Sequence, residues 1–132
     1  SDLRVVAASW HLPDAGRAAA AEYVAGHIPG AAFLNLGELV DSDADRKLTP
    51  VQRSFAYMPF EHAEDAAMQE LSVRLFSELA QENPGFESTL DYAHRHRGVI
   101  ARFGRFPHRN PILGRASTPE ELEYLSQPGS GF

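Results

Sequence analysis

Residues 61–79 read Glu-His-Ala-Glu-Asp-Ala-Ala-Met-Gln-Glu-Leu-Ser-Val-Arg-Leu-Phe-Ser-Glu-Leu, and the rest of the chain is read outward from them. Met68, Leu71, Leu75, Phe76 and Leu79 recur at helical spacing and share one apolar face. Downstream, Asn83-Pro84-Gly85 ends that helix, and Phe86 to about Phe103 predicts another, with Leu90, Ala93, Ile100 and Phe103 as its buried stripe. Residues 104–115, with Pro107 and Pro111, read as a loop. Thr118-Pro119-Glu120-Glu121 has the spacing of a capping box and opens a last short helix ending near Gln127. Upstream, Thr49-Pro50 predicts a cap and first helical position, with the helix running through about Tyr57 until Pro59 interrupts it.

Before residue 48 the pattern changes. Leu3 to Ala8 is a short apolar run that predicts a buried strand. Pro13 to Gly16 predicts a turn, Arg17 to Gly26 an alanine-rich helix, and Ala31 to Leu36 a second strand. A helical turn over Leu36 to Val40 and a polar stretch from Asp41 to Lys47 follow, the latter marking a boundary. The fold class expected is therefore mixed α/β and mainly helical, a small strand–helix–strand element packed on about four helices. Residues 1–46 and 47–132 would form two segments of one shared compact domain.

Composition narrows the function classes. The chain has 132 residues, a net charge of −6 and no cysteine. Without cysteine there is no disulfide scaffold, no zinc–thiolate or iron–sulfur site and no cysteine nucleophile. No apolar run approaches the ~20 residues that span a bilayer, and the N-terminus lacks the pattern of a signal peptide. A soluble, cytoplasmic chain that does not enter membranes is expected. Charge is uneven: residues 1–91 carry a net −9, residues 92–119 hold six arginines and no acid, and residues 120–132 add three glutamates. The overall negative charge disfavours nucleic acid and favours a basic protein partner.

Two stretches resemble known families. Ala8-Ser9-Trp10-His11-Leu12-Pro13, Gly16-Arg17, Ala21-Glu22-Tyr23 and His27-Ile28-Pro29-Gly30-Ala31 followed by Phe33 resemble the start of a rhodanese-type sulfurtransferase domain, in the 3-mercaptopyruvate branch. The family's catalytic loop is absent, and without a cysteine no persulfide can form, so no sulfurtransferase activity is expected. Residues from about 48 to 132 resemble the C-terminal half of the domain-of-unknown-function 924 family, which implies a helical, tetratricopeptide-like arrangement. The matching runs are Tyr57-Met58-Pro59-Phe60-Glu61-His62, Ala101-Arg102-Phe103-Gly104-Arg105-Phe106-Pro107-His108-Arg109-Asn110 and Ile112-Leu113-Gly114-Arg115. Together the two resemblances suggest a chimera, arising by gene rearrangement or by design, in which each part exposes apolar surface that its former neighbour covered.

The candidate binding residues lie in two clusters. Arg102, Arg105, His108, Arg109 and Asn110 could grip a phosphate or carboxylate. The plainer alternative is that the arginines cap helix carbonyls and pair with Glu61, Glu64 and Asp65. Glu61, His62, Glu64 and Asp65 could supply ligands or an acid–base pair, or simply complement a helix dipole. His94 and His96 sit two residues apart, face different ways on a helix and read as a solvated face between Arg95 and Arg97. His27 reads as structural, and Ser9 and Ser117 lack a nucleophile motif. No catalytic residue, metal site or cofactor is expected. The leading reading is a non-catalytic protein that binds and blocks a partner, as an inhibitor or antitoxin does, with self-association as a variant. The alternative is an anion- or substrate-binding, enzyme-like module built on the Glu61/His62 and Arg102–Arg109 cluster.

Overall fold

A computed structural model of the chain describes residues 6–7, 18–26, 29, 32–33 and 35–131. They form six α-helices: α1 (Ala19–Ala25), α2 (Leu36–Asp41), α3 (Pro50–Glu61), α4 (Ala66–Glu82), α5 (Glu87–Phe103) and α6 (Pro119–Leu125). Short 3-10 turns at Ala44–Lys47 and Pro107–Arg109 complete the order. The fold is helical, which corrects the expected mixed α/β class. Extended pairing among the described residues is a parallel contact of Val6–Ala7 with Ala32–Phe33, two residues on each side. Ordinary strands run about five or six residues, so this contact makes no sheet layer. The second expected strand is cut short by Asn35, whose side chain accepts from the Glu38 N–H at 3.4 Å and starts α2 at Leu36. A local cap outweighs a short apolar run there. The turn expected at Pro13–Gly16 and the candidates Ser9 and His27 lie outside the described residues.

The chain divides into two compact units, residues 1–56 and 57–132. In the first unit α2 packs on the Ala44–Lys47 turn, with Leu36 and Val40 buried. Asp45 and Arg53 are also buried there, 3.8 Å apart as an ion pair. Helix α3 runs on through Pro59 to Glu61, where an interruption was expected. A proline late in a helix removes one N–H, yet the ladder resumes: the His62 N–H bonds the Met58 carbonyl at 3.0 Å.

In the second unit α4 and α5 pack together, joined by the short connection at residues 83–86. Helix α4 begins at Ala66 instead of Glu61. Asp65 is its N-cap and accepts from the Met68 N–H at 2.9 Å, so Glu64 lies in a connection and Glu61 at the end of α3 rather than at a helix start. Ser72, Leu75, Phe76 and Leu79 form the buried face of α4, and Ala93, His96, Val99 and Ile100 that of α5. Tyr57 meets Phe76 edge-on at 5.6 Å. The buried Gln69 side chain donates to the Glu61 carbonyl at 2.6 Å and the Ala63 carbonyl at 2.8 Å, tying the end of α3 to α4. Phe106, fully buried, packs with Val99 and Ile100, with Phe103 and Tyr124 at the edge of the cluster. The capping box at Thr118 and Glu121 forms as its sequence predicts. No described helix is long and apolar enough to cross a membrane.

Candidate functional site

The end of α3, the residue that follows it and the middle of α5 bring Glu61, His62 and His96 together. One carboxylate oxygen and one nitrogen of each ring lie within 4.8 Å of one another. The imidazoles meet edge-on with centroids 4.8 Å apart. His62 Nδ1 lies 2.8 Å from the Met58 carbonyl, and His96 Nδ1 lies 2.8 Å from the Tyr92 carbonyl, one helical turn back in each case. A carbonyl only accepts, so Nδ1 carries the hydrogen in both rings and the neutral imidazole keeps its lone pair on Nε2. Glu61 Oε1 comes to 3.5 Å from His96 Nδ1, and Oε2 to 3.8 Å from His62 Nδ1. Oε1 is nonetheless buried and accepts no hydrogen bond.

Burial governs the charges of this cluster. Glu61 is only 5% exposed, and burial pushes its carboxyl up to about 7. His96 is 3% exposed and is held down to about 4, first by burial and further by the nearby charges of His62, Arg109 and His108. His96 was expected on a solvated face; it lies inside instead, while His94 is exposed. Its position was nevertheless legible. Ala93, His96 and Ile100 follow one another at helical spacing, and His96 fills the gap in the apolar stripe read from sequence.

A second polar cluster surrounds the chain from Arg105 to Glu121. Arg105 forks onto Glu121 at 2.7 and 2.9 Å and also donates to the Ala116 carbonyl. Arg115 forks onto Glu64 at 2.6 and 2.9 Å. Asn110, fully buried, donates to Ser117 and Glu121 and accepts from Arg115 Nε at 3.0 Å. The Phe106 N–H donates to Glu64 at 2.8 Å. Arg105, the Thr118 N–H and Asn110 together hold the Glu121 carboxyl down to about 2. The Arg115 guanidinium likewise holds Glu64 below the usual carboxylate range.

The arginine island is thus divided among the chain's own acceptors, though by different pairs than Glu61 and Asp65 suggested. Arg102, exposed, bonds Glu120 at 2.9 and 3.0 Å. Arg109 donates to the His62 carbonyl at 3.0 Å and lies 4.5 Å from the centre of the Phe106 ring. His108 stands 5.7 Å from the same ring, its imidazole lowered by burial and by Arg109. Sequence reading did not single out Glu121 and Arg115 as parts of this cluster. The spacing of the capping box located Glu121 on α6, but nothing local signals that Arg115 meets Glu64.

A helical chain organised around these two clusters matches a family model described as a bacterial protein of unknown function (DUF924) over residues 27–129, and the chain belongs to that family. The match covers the segment that resembles the family in sequence as far as residue 129 and continues upstream to residue 27, into the sulfurtransferase-like stretch. A solved structure of a protein of unknown function from Agrobacterium tumefaciens is 42% identical, with a TM-score of 0.58 over 68% of this chain and 48% of that one. The chain therefore spans about half the length of that relative. None of the curated proteins matches it.

Proposed function

We propose that the chain is a non-catalytic interaction protein that docks on a protein partner through the loop tip at residues 111–114. The observation that carries this reading is the exposure of Ile112 (87%) and Leu113 (57%) side by side on a loop held from beneath. The Arg115 N–H donates to the Asn110 carbonyl at 2.8 Å and the Leu113 N–H to the Arg109 carbonyl at 3.1 Å. Asn110 and Arg115 are in turn anchored on Glu121 and Glu64. Single exposed apolar side chains are ordinary on a protein surface. Two neighbours on a braced tip are a better anchor, because their ordering cost is met by the fold before any partner arrives.

The partner that suits this tip offers an apolar pocket within a basic surface, the latter favoured by the chain's net charge of −6. Occluding such a pocket is how an inhibitor or antitoxin-like neutraliser in the cytoplasm would act. The alternative, an anion-binding module using the arginines, has less support because Arg102 and Arg105 are already paired with Glu120 and Glu121. A sulfurtransferase-like origin for residues 3–46 rests on the sequence motifs and on the parallel course of Val6–Ala7 and Ala32–Phe33 either side of α1. The family match from residue 27 weighs against a join near residue 46.

A photo-crosslinking residue placed at position 112 tests the docking reading. It should trap one defined partner, and the doubly substituted Ile112→Asp, Leu113→Asp chain should no longer compete with the wild type for that partner. Because both side chains face solvent, folding should change by no more than about 0.5 kcal/mol. A partner bound equally well by the doubly substituted chain, or crosslinks only between copies of this chain, would overturn the proposal. Residues such as Leu75 are unsuitable for this test, since Leu75 is part of the buried face of α4.

A further inference from the structure

We propose that Glu61, His62 and His96 bind a divalent transition-metal ion of the zinc class, leaving a fourth coordination position open beside His62. Two imidazoles and one carboxylate are a donor set that suits zinc and its neighbours and is poor for calcium or magnesium, which take oxygen ligands. The Nδ1 contacts with the Met58 and Tyr92 carbonyls hold both rings in place, the kind of support that metal-binding histidines usually have. The backbone around the donors is also fixed: Gln69 holds the Glu61 carbonyl and Arg109 holds the His62 carbonyl.

A second observation points the same way. Glu61 is more than nine-tenths buried, yet its Oε1 accepts no hydrogen bond while facing His96. Buried carboxylate oxygens are rarely left so, and a bound cation would satisfy it. The donors now lie within 4.8 Å of one another, whereas tetrahedral zinc with bonds of about 2.0–2.1 Å places its ligands roughly 3.4 Å apart. The Glu61 oxygens face the Nδ1 edges of the rings at 3.5 and 3.8 Å, so side-chain rotation must present Nε2 to the ion and close gaps of up to roughly 1.4 Å. The His62 side chain is 40% exposed and is the one with room to move. Arg109 is the nearby positive group. One carboxylate leaves a divalent ion with excess positive charge, so water, hydroxide or an anionic oxygen fits the open position.

The test uses the full, untagged chain stripped of metal, titrated with Zn2+ by calorimetry and with Co2+ by visible absorption. One equivalent should bind, and Co2+ should develop the absorption of a four- or five-coordinate site with nitrogen and oxygen ligands. Glu61→Gln, His62→Gln and His96→Gln should each weaken binding by at least about tenfold, whereas exposed His94→Gln should leave it unchanged. Circular dichroism checks that each variant folds. If buried His96→Gln fails to fold, His62→Gln decides the matter from the exposed side. Absence of stoichiometric binding of either ion to the wild type overturns the proposal, as does binding that survives both Glu61→Gln and His62→Gln.

Discussion

Glu61 and Glu121 are the same residue type at almost the same burial, 5% and 2% exposed, and their carboxyls move in opposite directions. Glu121 meets the Arg105 guanidinium, the Thr118 N–H and Asn110, and is held down to about 2. Glu61 meets two imidazoles whose hydrogens already bond backbone carbonyls, and is pushed up to about 7. Burial raises a carboxyl, and donors that reach it can reverse that, as they do at Glu121. The Glu121 cluster is a closed structural network. Around Glu61 an acceptor remains open, which is why the two regions are assigned different work.

Phe106 joins the two regions and should give the largest effect when removed. Its ring packs 5.5 Å from His96 and its backbone bonds Glu64 and Arg115. Phe106→Ala should cost about 3–5 kcal/mol in urea denaturation, with perturbation of both clusters by NMR. Perturbation confined to one cluster would show the regions to be independent. Asn110→Ala should cost about 2 kcal/mol, because it strips a buried donor and acceptor from the Glu121 cluster, yet leave the His62 and His96 resonances in place. If those resonances shift as much as the Arg105 side chain does, the contrast between the regions is lost. Thr118→Ala removes one half of the capping box and should lower stability by about 1 kcal/mol, read from the thermal midpoint.

The smallest change is expected in the Glu121 contribution as the pH is lowered from neutral to about 5. A carboxyl held at about 2, against an ordinary 4.5, contributes stability that is complete above the ordinary value and fades as pH falls through the lowered one. A Glu121→Gln comparison should therefore show a constant stability gap from pH 7 to about 5 that closes toward pH 2. A gap that closes near pH 5 would mean that Arg105 does not govern Glu121.

The helices of the second unit were legible because their signals are local. Thr118 bonds an N–H group three residues on and the α4 face repeats every turn, whereas the Asp65 cap went unread and the start of α4 was placed too early. The strand–helix–strand element was overestimated, since a short apolar run does not reveal how many ladder bonds it will find. Pro59 misled as well: a proline near a helix end removes one bond where few remain to be lost. His96 was hidden by its arginine neighbours, although its own helical phase was the better guide.

The sequence by itself determined that no cysteine chemistry is available and that α4, α5 and α6 form where periodicity and the Thr118 capping box place them, because composition is absolute and capping and periodicity act over a few residues. Only the tertiary structure decided which polar residues meet. Arg115 and Glu64 are 51 positions apart, and Glu61 and His96 are 35. Whether such groups pair, lose their charge or stay open depends on who else reaches them once water is excluded, and chain spacing carries no record of that.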